Sequence, residues 1–167
     1  MYMHRNSQKR IYIPEGIYFV TTKTKDNFPY FRDMRLAELC ADRIRVAQMI
    51  KPFNVLAYVI IPDHIHLLIQ PKGESTISGI MHCIKRNIAR SANIIINNPH
   101  FNRSTGEDDL PRLHFEWQSS FHDHVIRNDE DLYTHIEYIR YNPEKHGLVK
   151  AGEPYRFLYI DDNWMAG

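Results

Sequence analysis

Along this chain the apolar positions alternate between strand-like and helix-like periods in a fixed order. Residues 16–24 contain Ile17, Tyr18, Phe19, Val20, Thr21 and Thr22, a β-branched and aromatic run that predicts a strand. Asp33 suits the N-cap of a helix running to about Ile50, with Leu36, Leu39, Cys40, Ile44, Ala47 and Ile50 on one face and Pro52 just past its end. Residues 53–61 predict a second strand. Pro62 and Asp63 make a tight turn into a third, residues 64–70, which ends at Pro71-Lys72-Gly73. Ser75 opens a long helix whose apolar stripe is Ile77, Met81, Ile84, Ile88, Ala92 and Ile95. Residues 97–112 read as a polar loop and residues 117–126 as a fourth strand. An acidic N-cap region then leads a last helix from about Asp129 to Tyr141, which Pro143 stops. The tail carries Tyr155, Phe157, Tyr159 and Trp164, enough aromatic surface to predict that it packs back on the domain.

The order β-α-β-β-α-β predicts an α+β fold of the ferredoxin-like, split βαβ type: a four-stranded antiparallel sheet with two helices on one face. The extra C-terminal helix needs the other face. Residues 1–167 show no repeat, linker or low-complexity segment and read as a single domain, large enough for a core without staples. Cys40 and Cys83 form no paired motif and imply no disulfide framework. The N-terminal residues lack the apolar stretch of a signal peptide, and the apolar run 55–61 is far short of the ~20 residues a membrane helix needs. A soluble, cytoplasmic protein with no membrane partner is expected.

Charge refines the choice of partner. The 21 basic and 20 acidic residues nearly cancel, which argues against bulk coating of nucleic acid. Their distribution is uneven. Residues 75–106 hold no Asp or Glu but include Lys85, Arg86, Arg90 and Arg103, and His82, Arg86 and Arg90 recur every four residues along one stripe of the long helix. Arg5, Lys9 and Arg10 form a second basic group; Lys145, His146 and Lys150 form a third.

The chemistry is concentrated in two places. His64 and His66 stand one residue apart in an apolar strand, so both imidazoles project from the same sheet face while Ile65 and Leu67 point to the other. Such a pair can grip one divalent ion, or can be two hydrogen-bonded sheet histidines, and the bare His-x-His leaves both open. On the last helix Leu132, Ile136 and Ile139 mark the apolar stripe, and Tyr138 falls well off it. Asn142 follows one turn later on the same face as Tyr138, which puts a phenol beside an amide; taken alone, packing explains that tyrosine as well as chemistry does.

Together these pieces carry a family resemblance. His64-Ile65-His66 after a Pro-Asp hairpin, then Trp117-Gln118-Ser119-Ser120-Phe121-His122-Asp123-His124-Val125-Ile126-Arg127, then Tyr138-Ile139-Arg140-Tyr141-Asn142-Pro143-Glu144-Lys145-His146-Gly147, resemble the single-tyrosine HUH transposases, in particular the REP-associated branch. The resemblance spans roughly residues 13–150. It implies that His64, His66 and Asn142 bind a divalent metal, Mg2+ or Mn2+, and that Tyr138 is the nucleophile on the extra catalytic helix. It implies a metal-dependent single-stranded DNA endonuclease and strand transferase that cuts at hairpin-flanked sites through a 5′-phosphotyrosine and rejoins ends. Asp63 stands where the family commonly has Asn, adding negative charge near the metal, and Glu144 where Val is usual. Tyr133 and Tyr141 are neighbouring phenols, read as packing residues.

Several consequences follow as expectations. Phenols titrate near pH 10, so catalysis must rest on placement and charge stabilisation. Imidazole must be neutral to bind metal, so activity should fall below about pH 6.5. Zinc suits imidazole better than Mg2+ and would inhibit by tight binding. Arg5, Lys9, Arg10, His82, Arg86 and Arg90 are candidate phosphate contacts on single-stranded or hairpin DNA, and Arg127 and Lys145 flank the catalytic helix. A nucleoid-associated location fits such a substrate, and relatives of this kind include both monomers and homodimers. Three rivals remain in view: a host-retained nickase of the same family that binds repeats, a non-catalytic single-strand-binding module of the same fold, and a histidine-triad hydrolase, whose third histidine is replaced here by Leu68.

Overall fold

The computed structural model describes residues 12–98, 100 and 114–165. β1 (Tyr18–Lys23), β2 (Phe53–Ile61), β3 (His64–Pro71), β4 (His122–Val125) and β5 (Leu158–Ile160) form a single sheet in the order β4-β1-β3-β2-β5, every pair antiparallel. The first four strands have the order expected of the split βαβ fold. The fifth was not anticipated in the sequence. It runs for three residues along β2, and Tyr155 just before it donates its hydroxyl to the Ile60 carbonyl at 2.8 Å. The aromatic tail does pack back, and it does so partly as an edge strand.

α1 (Met34–Ile50) begins where the Asp33 side chain accepts a hydrogen bond from the Arg35 backbone N–H, an N-cap of the usual kind. α2 (Ile77–Ile96) is capped by Thr76, whose hydroxyl accepts from Gly79 N–H, so the cap lies one residue beyond the expected Ser75. Both helices lie on one sheet face. There Ile44, Ile80, Ile84 and Ile88 bury against Tyr18, Val20, Ile65, Leu67 and Ile69 in the larger core. α3 (Asp129–Lys145) covers the opposite face, where Ile136 and Ile139 pack on Val59, Ile61 and Leu68. With helices on both sides, β2 and β3 are buried on both faces, and the polar His64 and His66 fall on the face that α3 covers. A short α4 (Asp162–Met165) ends the described chain.

Two boundaries differ from expectation. β4 is shorter than 117–126: before it, Trp117 makes an isolated bridge to Thr24 and turns its indole N–H onto the Lys85 carbonyl of α2, which anchors the segment without a ladder. α3 does not stop at Pro143 but carries it inside its last turn. A proline there forfeits one intrahelical bond near an end where orphan carbonyls are ordinary. His146 N–H and Gly147 N–H then close the helix on the Asn142 and Glu144 carbonyls, with Gly147 at φ 67°, a conformation that favours glycine. The loop expected at 97–112 lies almost wholly outside the described residues. Among the described residues no helix is long and apolar enough to cross a membrane.

Candidate active site

The register of the sheet decides what surrounds the two histidines. Thr21 of β1 and Val59 of β2 sit opposite His66, and Lys23 and Ile61 sit opposite His64. Antiparallel partners share a face, so Thr21 and Lys23 join the imidazoles on the side covered by α3. The rings of His64 and His66 are 4.8 Å apart at an interplanar angle of 77°. Both are buried, 7% and 4% exposed, and His66 Nε2 has no hydrogen-bond partner.

The first nitrogens are occupied. His64 Nδ1 lies 2.6 Å from Asp63 Oδ1 and His66 Nδ1 lies 2.7 Å from Thr21 Oγ1. A carboxylate can only accept, so it holds the His64 proton on Nδ1 and leaves the Nε2 lone pair free. Thr21 can hold His66 in the same tautomer. Asp63 thus acts through His64, orienting the ring and raising its basicity, in the manner of the outer partners of metal-binding histidines. Burial pushes the pKa of both rings down. For His66 the fall, to about 3, is increased by the neighbouring His64, His146, Lys145 and Lys23; for His64, Asp63 opposes the shift. His66 is therefore neutral well below pH 6.5, and His64 is shifted in the same direction.

α3 brings the other two groups. Its apolar stripe faces the sheet, which turns Tyr138 sideways toward the histidines, 40% exposed, with its ring 5.1 Å from that of His66 and 5.7 Å from that of Phe19. Lys145 Nζ stands 5.2 Å from the centre of the Tyr138 ring. Tyr133 and Tyr141, read from sequence as packing residues, are instead more exposed than Tyr138. Asn142, one turn further on, is 1% exposed.

Among the described residues five buried side-chain polar atoms lack a hydrogen-bond partner, and three of them are His66 Nε2, Asn142 Oδ1 and Asn142 Nδ2. Buried polar groups are nearly always paired, and an orphan costs about 1–3 kcal/mol. An imidazole lone pair and an amide oxygen left without partners are donors of the kind a divalent cation takes, so their chemistry fits one.

Of the other expected site residues, Arg127 is exposed just before α3. His82, Arg86 and Arg90 are exposed on α2, across the sheet from the histidines, so they do not line this site. Arg5, Lys9 and Arg10 lie outside the described residues. The structure also adds residues to the neighbourhood. His146, read from sequence only as part of a basic group, has its ring 5.2 Å from that of His64. Phe19 stacks on His66 at 5.3 Å and meets His135 at 4.6 Å. Beyond it, ligand atoms of His124, Asp131 and His135 lie within 4.8 Å of one another, a set able to hold a metal ion. The signals were present: His122-Asp123-His124 is a second His-x-His on a strand, and Asp131 and His135 are one helical turn apart.

Comparison with known proteins bears on this arrangement. Residues 15–142 match the family described as Transposase IS200 like. A protein of Haemophilus influenzae named as a REP-associated tyrosine transposase is 29% identical over 163 residues, covering 93% of this chain and 87% of that one. The REP-associated tyrosine transposase of Escherichia coli K12 is 28% identical over 150 residues, with 89% and 79% covered. A solved structure of a REP-associated tyrosine transposase bound to a REP hairpin shares the fold at a TM-score of 0.68 and 26% identity, covering 92% of this chain and 81% of that chain. A transposase structure from Deinococcus radiodurans has the same fold at a TM-score of 0.53 and 18% identity, over 81% and 96%. With the family match running from just before the first strand to Asn142 of α3, this chain belongs to the IS200-like transposases, in their REP-associated tyrosine branch.

Proposed function

We propose that this protein cleaves and rejoins single-stranded DNA beside hairpins of the REP type, with Tyr138 as the nucleophile. The observation that carries the reading is the contact of a half-exposed phenol with an imidazole whose free nitrogen is buried and unpartnered, with a buried, unpartnered amide one helical turn after that phenol. The hairpin substrate rests on the structural relative bound to a REP hairpin.

In the proposed reaction the Tyr138 oxygen attacks the phosphorus of a backbone phosphate. A tyrosine O–P bond forms, the bond from phosphorus to the 3′-oxygen breaks, and the proton lost by the phenol is balanced by one gained at the departing 3′-hydroxyl. The 5′-phosphotyrosine conserves the bond energy, so a second 3′-hydroxyl can reverse the step at the same site. His64, His66 and Asn142 would hold Mg2+ or Mn2+, whose charge offsets that developing on the non-bridging phosphate oxygens. Lys145 supplies a fixed positive charge beside the phenol, and Arg127 can take a neighbouring phosphate. A strand that also touched His82, Arg86 and Arg90 would have to pass around the sheet edge.

Incubation with a labelled hairpin oligonucleotide and Mn2+ tests the reading. Wild type should form a covalent adduct that mass spectrometry maps to Tyr138, while Tyr138→Phe should bind the hairpin and form none. An adduct surviving in that variant would reassign the nucleophile. Unchanged cleavage by His64→Ala or His66→Ala would remove the metal from the mechanism.

A further inference from the structure

A second constellation lies on the same sheet face, outside the groups used above. The register pairs His124 of β4 with Phe19, and so turns His124 toward α3. Asp131 and His135 come from the first turns of that helix. His124 Nε2 is 2.8 Å from Asp131 Oδ2, and His135 Nδ1 is 3.1 Å from Asp131 Oδ1. The two imidazoles are nearly parallel, 4.9 Å apart at 19°, with one nitrogen of each on the same carboxylate. None of the three side chains is fully buried, so an ion can enter from solvent.

We propose that His124, Asp131 and His135 form a second divalent-cation site, of the zinc class, that fastens the tyrosine-bearing helix to the edge strand. Two nitrogens and one carboxylate are the donors zinc prefers, at bond lengths of about 2.0–2.2 Å, and three protein ligands leave one position open to solvent. Ligand atoms around such an ion lie roughly 3–4 Å apart, so the present set, within 4.8 Å, closes by a small movement of the half-exposed His124 ring. In the metal-free protein the same nitrogens donate to Asp131, and His135 Nδ1 also lies 2.8 Å from the Asp131 carbonyl. Binding gives up those bonds, and each ring then carries its proton on the other nitrogen.

The position gives the site a role. Asp131 also accepts from Arg127 N–H, so the carboxylate already ties the helix start to the end of β4. His135 rests on Phe19, and Phe19 touches both His66 and Tyr138. A cation across β4 and α3 would limit rotation of the helix three residues before Tyr138.

The test uses zinc itself and does not depend on the proposed reaction. In a His64→Gln/His66→Gln protein, which lacks the other imidazole pair, one zinc per chain should bind by calorimetry and raise the melting temperature. Adding His124→Gln and His135→Gln should abolish both effects. Should that fourfold variant not fold, His124→Gln alone, at a half-exposed strand position, should lower zinc stoichiometry in the otherwise wild-type chain from two to one. No zinc uptake by the His64→Gln/His66→Gln protein, or an unchanged stoichiometry on His124→Gln, would overturn the proposal.

Discussion

Replacement of Asn142 by leucine separates what the buried amide does for stability from what it does for chemistry. Asn142 is 1% exposed, and neither its oxygen nor its nitrogen has a partner. Leucine is close to asparagine in size and would face the same surroundings on α3, next to the fully buried Ile139. An unsatisfied buried polar group costs about 1–3 kcal/mol, and replacing it by an apolar group of similar shape recovers that cost. Allowing for imperfect fit, Asn142→Leu should stabilise the metal-free protein by about 1–3 kcal/mol. For a domain of this size each kcal/mol moves the melting temperature by about 2–4 °C, so the gain should be roughly 2–12 °C. The assay is thermal melting followed by circular dichroism in EDTA, then in saturating Mn2+. Mn2+ at a hundred times its dissociation constant would add about 2.7 kcal/mol to wild type, and Asn142→Leu should gain less than wild type does. A variant that melts at or below wild type in EDTA would show that the amide is satisfied without metal, and the argument for Asn142 as a ligand would fail.

Three other outcomes follow from the same geometry. Unfolded imidazole titrates near pH 6.5 whereas buried His66 is held at about 3; the unfolded chain therefore binds more protons across that window, and metal-free stability should fall with decreasing pH by up to about 1.4 kcal/mol per pH unit from His66, with His64 acting in the same direction. Urea midpoints between pH 6.5 and 5 measure this, and a His66→Asn protein with an equally steep pH dependence would contradict it. Thr21→Val keeps the shape but removes the 2.7 Å partner of His66 Nδ1, so Mn2+ affinity by calorimetry should drop by about 10–100-fold, and an unchanged value would deny the orienting role. Asp33→Ala removes the cap of α1 and should cost about 1 kcal/mol in urea denaturation, with no loss pointing to a substitute acceptor.

Periodicity served well where burial is one-sided. α1 and α2 each bury one stripe, so their spacing could be read directly, and the hairpin that presents His64 and His66 was marked by its Pro-Asp turn. It served poorly where ends are set by non-local bonds. The stretch before β4 reads as a strand because of Trp117 and Phe121, but its anchor is an indole bond to α2 rather than a ladder. Pro143 reads as a stop because a local rule takes no account of how little one lost bond matters in a last turn. β5 escaped notice because three residues carry no periodic signal and their partner lies about a hundred positions earlier.

By itself the sequence determined which residues could do chemistry and that the two histidines would share a face, because strand alternation is a property of the local backbone. It also determined that Tyr138 and Asn142 would stand one above the other, because helical spacing is equally local. Only the tertiary structure decided that Tyr138 comes against His66, since that depends on α3 covering the face opposite the other helices. The same packing placed the His82, Arg86 and Arg90 stripe on the far side of the sheet and drew His124, Asp131 and His135 into one cluster. Contacts between distant segments follow from strand register and the burial of whole faces, which no short window of residues encodes.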